Sequence, residues 1–417
     1  MLSQQFNTLL FTYKAPLFVL LCLAGQILAW RFWLRRAAKP FHRLICHLVF
    51  IVFNLAWLFA FSALYFSGAA VDLTWTFFGR PAVAWQLAYI LVILPLGTLA
   101  SLLTAVIRLP LRLGKKPPVD FNFKKERRNL LKSAGGAAVA VILGGCGYGV
   151  IRQGSSPAVN RQTIVFPGLP RALDGFVIAQ LSDLHLGLWS SQREIDRAAA
   201  VAAAAGPHLV VVTGDIIDRN PEFARLCFDP LKRFADVPYG VWGILGNHDH
   251  YTGPQRIASL LQSSGLINML MDRQVRLPEL PMSIIGLDDQ GAHHFWMGTG
   301  ALTGRKDDPD VLDFKKVKGP PPEPDDFVLL LNHRPEGLRQ AGAHGCRLYL
   351  AGHTHGGQYQ VPFRDQLNLA SMFYKYSSGL YHENGCWLNV SRGLASVGVP
   401  FRLWAWPEVN LITLKRA

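Results

Sequence analysis

Leu348-Tyr349-Leu350-Ala351-Gly352-His353-Thr354-His355-Gly356-Gly357-Gln358 is the run whose reading decides the fold. Four apolar residues, too few for a helix, stop at a glycine, and two histidines follow in a glycine-rich turn. The pattern predicts a buried strand that delivers two imidazoles just past its carboxyl end. Four earlier places repeat the arrangement. Ser182-Asp183-Leu184-His185 follows the apolar run 176–181. Gly214-Asp215-Ile216-Ile217-Asp218 follows Leu209–Thr213. Gly246-Asn247-His248-Asp249 follows 241–245, and Asn332-His333 follows Phe327–Leu331. Side chains at the carboxyl ends of neighbouring strands converge on one crevice. The clusters can therefore meet, although 170 residues separate His185 from His355.

Around these runs the texture is that of an α/β domain. Buried strands are expected at 175–181, Leu209–Thr213, 241–246, Phe327–Leu331, Leu348–Ala351 and 387–390. Helices are expected at 192–204, 221–234 and 254–264. Alternation of this kind indicates helices layered on sheets. Residues 291–326 have no period and contain Gly319-Pro320-Pro321-Pro322, which reads as a long surface loop. No internal repeat is present.

The chemistry of the clusters points to divalent metals. Imidazole and carboxylate suit Mn, Fe or Zn, and the set contains no thiolate. Two adjacent cations need a shared ligand; a carboxylate can bridge and an imidazole cannot, which makes Asp215 the natural bridge. Glycines before Asp215, Asn247 and His353 permit tight turns and close approach. Two cations ~3.5–4 Å apart can lower the pKa of a bridging water and give a hydroxide at neutral pH. His248, next to Asn247, is the expected catalytic residue, a general acid of the kind worth ~10²–10⁴ in rate. Asn247 supplies a neutral oxygen, which keeps one cation more electrophilic. Asp218 is expected to orient the Asp215 loop. His208, His250, His293, His294, His344 and His382 fit no motif position and are read as surface or structural residues.

In order, D-x-H, G-D-x-x-D, G-N-H-D, a lone His and G-H-x-H resemble the calcineurin-like metallophosphoesterase superfamily. Gly352 to Gln358, Ser391-Arg392-Gly393-Leu394 and Pro407-Glu408 are similar to its bacterial membrane-associated branch, which includes UDP-2,3-diacylglucosamine pyrophosphatases. The resemblance covers about residues 160–417. It implies a four-layer αββα sandwich of two mixed sheets. It implies one metal held by Asp183, His185, Asp215 and His355, and another held by Asp215, Asn247, His333 and His353. Arg347 departs from the family, where an acidic residue is usual.

Before that domain lies a region of different character. Residues 1–150 hold 16 Lys/Arg against 3 Asp/Glu, whereas 151–417 hold 26 against 25. The basic excess of the chain thus flanks apolar segments rather than a nucleic-acid groove, and no nucleic acid is expected as a partner. The apolar stretches are 15–30, 44–67, 83–107 and 133–150, and the middle two have the ~20-residue length that a bilayer demands. An all-α membrane region of about four helices is expected at 1–150. Basic loops stay in the cytoplasm, and nine Lys/Arg lie between residues 108 and 132. That orientation places the catalytic domain outside the cytoplasm, anchored in the cell membrane. The stretch 127–132 resembles a twin-arginine export signal and reads equally well as a plain basic flank. Leu143-Gly144-Gly145-Cys146 faintly resembles a lipoprotein cleavage box. Cysteines 22, 46, 146, 227, 346 and 386 have no metal spacing and read as small buried hydrophobes.

These readings combine into a membrane-anchored hydrolase that uses two divalent ions (Mn, Zn or Fe) to cut a phosphodiester or pyrophosphate bond. The bilayer is an expected partner, and a lipid-linked or nucleotide-sugar-lipid substrate is expected from the tether. Trp189, Phe295 and Trp296 are candidates to touch acyl chains. The alternatives are a phosphodiesterase of soluble nucleotides or cell-wall phosphates, and a non-catalytic metal-domain sensor or scaffold. A scaffold predicts a broken ligand set, and here every ligand is present. An extracytoplasmic site also sits uneasily with a cytoplasmic nucleotide-lipid.

Overall fold

The computed structural model describes residues 156–417 apart from 188–189, 219, 290–311 and 398–401. Before residue 156 it describes only positions 27, 40, 41, 44, 47, 48 and 51. Apart from these isolated positions, the four expected apolar segments lie outside the described residues, as do the stretch 127–132, Trp189, His293, His294, Phe295 and Trp296. Among the described residues no helix is long and apolar enough to cross a membrane.

The chain enters with β1 (Ala158–Phe166) and β2 (Val177–Leu181), then α1 (Gln192–Ala203) and β3 (Leu209–Thr213). After α2 (Phe228–Lys232) come β4 (Val241–Ile244), α3 (Asn247–Thr252), α4 (Pro254–Ser263), β5 (Asn268–Met269), β6 (Arg273–Arg276) and β7 (Met282–Gly286). The second half holds β8 (Phe327–Leu331), α5 (Leu338–Ala343), β9 (Leu348–Ala351), β10 (Gln360–Val361), β11 (Arg364–Asn368), β12 (Gly379–Glu383), β13 (Cys386–Val390) and β14 (Glu408–Arg416).

Two six-stranded sheets result, in the orders β1-β14-β2-β3-β4-β5 and β12-β13-β9-β8-β7-β6, with β10-β11 as a separate hairpin. The strands β2 to β5 run parallel, as do β13, β9, β8 and β7. Ile178, Val211, Ile244 and Ile412 of the first sheet pack on Ile284, Leu329 and Leu350 of the second. The outer face of the first sheet, Val210 and Val212, is covered by Ile195 and Ala198 of α1, Leu231 of α2 and Ile257 and Leu261 of α4. The outer face of the second, Val328, Leu330 and Leu388, is covered by Leu338 and Ala341 of α5. These are the four layers, helix, sheet, sheet, helix. A strand buried on both faces reads as an unbroken apolar run, and Leu-Val-Val-Val-Thr in β3 is one. Each of its valines contributes about 1.5–3 kcal/mol of burial.

Helix α1 forms because Ile195, Ala198, Ala199 and Ala202 recur on one face and are buried. Its start is a capping box in which the Ser191 N–H donates to Glu194 Oε2 at 2.9 Å. The expected helix at 221–234 is instead a tight turn of helix over Pro221–Cys227 followed by the short α2. Pro230 lies inside the expected span and has no N–H to continue a longer ladder. The expected loop 291–326 contains a single helical turn, Phe314–Lys316, in its described part. Cys227, Cys346 and Cys386 are free and buried.

Between the sheets runs a polar line. Gln162 Nε2 donates to Asn389 Oδ1 at 2.9 Å, and Asn389 Nδ2 donates to Gln180 Oε1 at 2.8 Å. Gln180 Nε2 donates to the Ala351 carbonyl at 2.9 Å. A buried amide left unmatched costs about 1–3 kcal/mol, so this line fixes the register of one sheet on the other. It ties β2 to β9, the strands that end in the first and last clusters.

Candidate metal centre

The carboxyl ends of β2, β3, β4, β8 and β9 meet at one end of the sandwich, and all seven expected ligands lie there. Their backbone is unusual. Asp183 (φ 52°), His185 (39°), Asp215 (49°), His353 (73°) and His355 (53°) are left-handed without being glycine. Each such residue costs on the order of 1–3 kcal/mol and persists only where its surroundings over-determine it. Here they do. The Asp183 N–H donates to the Gly214 carbonyl at 3.1 Å and the His185 N–H to the Asp215 carbonyl at 2.9 Å. The Ala395 N–H donates to the Asp183 carbonyl at 2.9 Å. Gly352 completes the packing, because a Cβ there would collide with Ser182 Oγ and Asp183 Oδ2.

Side-chain donors form three groups among the described residues; one is His185, Asp218 and His248, and the other two have one member in common. Asp183, His185, Asp215 and His355 make the first of those two, and Asp215, His333 and His353 the second; within each group the ligand atoms lie within 4.8 Å of one another. The shared atom is Asp215 Oδ2, 3.4 Å from His185 Nε2 and 3.3 Å from His333 Nε2. Its other oxygen, Oδ1, accepts the His248 N–H at 2.8 Å. His355 Nε2 lies 3.1 Å from His185 Nε2 and 3.4 Å from Asp183 Oδ1. Asn247 belongs to the same end. Its Oδ1 is buried without a hydrogen-bond partner, as is His333 Nε2.

Protonation states follow from burial. Burial drives the His185 imidazole down to about 4 and that of His355 down to about 3. Burial and then the Arg334 guanidinium hold His353 well below its ordinary value. These rings therefore present lone pairs. His333 differs: burial opposes its charge, but Asp215 outweighs it and lifts the ring to about 10. Burial would raise Asp215, yet His333, His248 and His185 keep it well below the carboxylate range. A buried carboxylate that must borrow a proton on a neighbouring ring is a place where a cation does the same work better.

The ring nitrogens that face away from the centre are held. His333 Nδ1 is 2.8 Å from the Thr213 carbonyl, which puts the proton there and leaves Nε2 as the ligand atom. His355 Nδ1 lies 3.0 Å from both the Ala395 carbonyl and Arg402 Nη2, which hold the ring with Nε2 turned to the centre. His353 is reversed. Its Nε2 is taken by Arg334 at 3.0 Å and Tyr374 at 3.0 Å, so Nδ1 is the nitrogen left for an ion. The donor set, the orphaned Asn247 oxygen and the shared Asp215 oxygen fit a pair of divalent cations.

His248 stands beside both groups with its Nδ1 3.2 Å from Asp218 Oδ1. Burial opposes its charge, but Asp215 and Asp218 raise it to about 9. Asp218 thus orients His248. The tie of the Asp215 loop falls to Asp249, whose carboxylate accepts N–H groups from Ile216, Ile217 and Gly246. Of the histidines without a motif, His208 accepts the Val177 N–H, His250 pairs with Asp288 at 2.7 Å, and His344 stacks on Phe314. Arg347 donates to the Pro167 carbonyl.

Three residues of the site lie outside every motif of the sequence. Arg334 follows His333 directly and is anchored by Asp289 at 2.9 Å, so adjacency was its only signal. Tyr374 lies 21 residues past His353 and carries no signal at all. Arg402 is fully buried and donates to the carbonyls of Arg392, Ala405 and Ala395, which fixes the oxygen that orients His355. A buried arginine is invisible to periodicity.

A family model described as calcineurin-like phosphoesterase matches residues 176–357. An uncharacterized metallophosphoesterase of Bacillus subtilis, YkuE, is 30% identical over 300 residues, 70% of this chain and 98% of that protein. A transmembrane protein with metallophosphoesterase domain from Danio rerio is 29% identical over 65% of this chain and 60% of its own length. Among solved structures, a dimetal phosphatase from Danio rerio aligns over 53% of this chain and 88% of its own at 14% identity, with a TM-score of 0.31.

Proposed function

Because this chain belongs to the metallophosphoesterase family and is a metal-dependent phosphoester hydrolase, we propose that it cleaves a phosphodiester or pyrophosphate bond of a lipid-linked substrate at a membrane surface. The observation that carries the metal-centre part is the single oxygen, Asp215 Oδ2, lying 3.4 and 3.3 Å from imidazoles of the two groups. Asp183, His185, Asp215 and His355 would hold one divalent ion, and Asp215, Asn247, His333 and His353 the other. When bound, the pair supplies positive charge for the phosphate and a water-derived nucleophile at neutral pH. Mn, Zn and Fe all suit this donor set.

The protein's own groups do the rest. With Nδ1 committed to Asp218, His248 has Nε2 to meet substrate, and Asp218 favours its protonated form. It donates that proton to the leaving oxygen, which is worth ~10²–10⁴ in rate. Arg334, held by Asp289, sets the orientation of His353. The lipid part of the reading is supported by two apolar stretches of bilayer length, 44–67 and 83–107, and by a relative whose name describes a transmembrane protein. The basic loops favour a catalytic domain outside the cytoplasm.

The test is hydrolysis of a panel of lipid-linked, nucleotide and simple aryl phosphodiesters with and without Mn²⁺, in wild type, Asp215→Asn and His248→Ala. Loss of all activity on chelation and in Asp215→Asn is expected. Full activity under both conditions would sink the assignment, and a preference for nucleotides over every lipid-linked ester would remove its lipid part.

A further inference from the structure

We propose that the hairpin β10–β11 and the turn after it form a bilayer-docking surface beside the metal centre. Nine large hydrophobic side chains described between residues 156 and 417 are exposed, and seven lie in 361–373 or at Trp404. Scattered exposed hydrophobics need no explanation, but a concentration of this kind marks an interaction surface. Phe363, Leu367, Leu369, Met372 and Phe373 follow one another in the chain. Trp404 joins them because it bridges to Tyr359 at the root of the hairpin.

The tip is the strongest point. Phe363 is fully exposed, at 102%, and sits in the left-handed region with φ 61°. A bulky residue there is a genuine outlier, since glycine fills such a turn without cost. A phenylalanine at that position, covered by none of the described residues, is explained by a partner outside the domain.

The chemistry of the surface selects lipid. From residue 359 to 382 the chain has one carboxylate, Asp365. It is occupied by Gln360 at 2.6 Å and faces Arg392 at 3.5 Å. Arg364 is exposed at the margin, and Lys375, also exposed, pairs with Glu383 just beyond it at 2.8 Å. Apolar and aromatic side chains rimmed by cations, with little negative charge, match the interface of a bilayer. The same chain carries the charge-poor apolar stretches 44–67 and 83–107, so a bilayer is the surface to which this domain stays tethered. The inference rests on that membrane reading.

The patch also grows out of the ligand turn. A Cβ on Gly357 would strike the backbone of Leu369 and Ala370, so the turn that carries His355 packs directly on the patch. Tyr374, one residue past Phe373, touches His353. Seating the hairpin among acyl chains places the metal centre at headgroup level, where the phosphate of a lipid-linked ester lies.

The experiment uses the full chain in vesicles of phosphatidylethanolamine and phosphatidylglycerol that contain a diazirine-tailed phospholipid. After irradiation, labelled peptides are mapped by mass spectrometry. Label is expected at 361–373 as well as at 44–67 and 83–107. In Phe363→Ser/Met372→Ser, label at 361–373 should fall about tenfold, the change that ~1.4 kcal/mol of lost partitioning gives. Hydrolysis of a soluble aryl phosphodiester by that variant should stay at the wild-type level, which reports an intact fold. Label at 44–67 and 83–107 with none at 361–373 would overturn the docking, whether a second copy or another protein covers the patch. Undiminished label in the variant would overturn it too. Absence of label everywhere would remove the membrane reading itself. Because the readout is labelling, a failure of the phosphoesterase assignment shows separately, as absent hydrolysis.

Discussion

Asp249 is the residue whose removal tests the site's construction most directly. Its carboxylate is buried and accepts three backbone N–H groups: Ile216 at 3.1 Å, Ile217 at 3.0 Å and Gly246 at 2.9 Å. Two of these belong to the loop that carries Asp215, and the third belongs to the turn before Asn247. Asp249→Ala strands all three donors in a dry interior. At about 1–3 kcal/mol for each stranded donor the loss is ~3–9 kcal/mol, against ~5–15 kcal/mol for a whole domain. Asp249→Asn is milder. Its oxygen can keep Ile216 and Ile217, so one donor is stranded, and removal of a charge that burial and then Asp215 disfavour offsets part of that loss. Urea unfolding of chelated protein at pH 7 gives the free energies, with the Asn variant expected between wild type and Ala. Calorimetric titration with Mn²⁺ should show weaker binding in the same order. An Ala variant within about 0.5 kcal/mol of wild type, the range of ordinary surface changes, would refute the claim that this carboxylate holds the two loops together.

Three further outcomes follow from the same geometry. His248→Gln should lower the rate of phosphodiester hydrolysis by ~10²–10⁴ while leaving Mn²⁺ binding in place. The His248 pKa is raised to about 9, so in chelated protein its stabilising contribution is full below the ordinary value of 6.5 and fades as pH climbs to about 9. The variant should show a shallower decline across that window in thermal melts. Gly352→Ala forces the Asp183 carboxylate aside and should cost ~1–3 kcal/mol of stability by overpacking; a variant with unchanged melting and unchanged Mn²⁺ affinity would contradict the packing. Adding Mn²⁺ at a hundred times its dissociation constant should stabilise the metal-free domain by about 2.7 kcal/mol, visible as a concentration-dependent rise in melting temperature that Asp215→Asn abolishes.

Much of this was legible in the residues. The strands β3, β8 and β9 begin and end where their apolar runs do, because parallel central strands are apolar on both faces and polar clusters bound them. The edge elements were not legible. In β1, Asn160 and Gln162 alternate with Val159 and Arg161, and partly buried with exposed positions, so no apolar run announces a strand. β14 and β7 went unread for want of a motif at their ends. Asp249, Arg334, Tyr374 and Arg402 act through contacts with carbonyls, amides and rings, many of them distant in the chain. Asp249 closes a motif and Arg334 adjoins His333, but the roles of all four appear only in the folded contacts. The seven expected ligand residues and His248 were legible as a group at one end of the sandwich, because each follows a strand directly.

The first sheet is closed by a latecomer. β14 inserts between β1 and β2, with Ala158 facing Glu408 across a gap of 250 residues. A ribosome that has translated as far as Val390 has produced every strand of the second sheet, while β1 still lacks the neighbour that joins it to the rest. At about 5–20 residues per second, that exposed seam persists for seconds and must avoid proteases and chance pairing until Glu408–Arg416 emerges. Until β14 docks, β2, whose end carries Asp183, is an edge strand of its sheet.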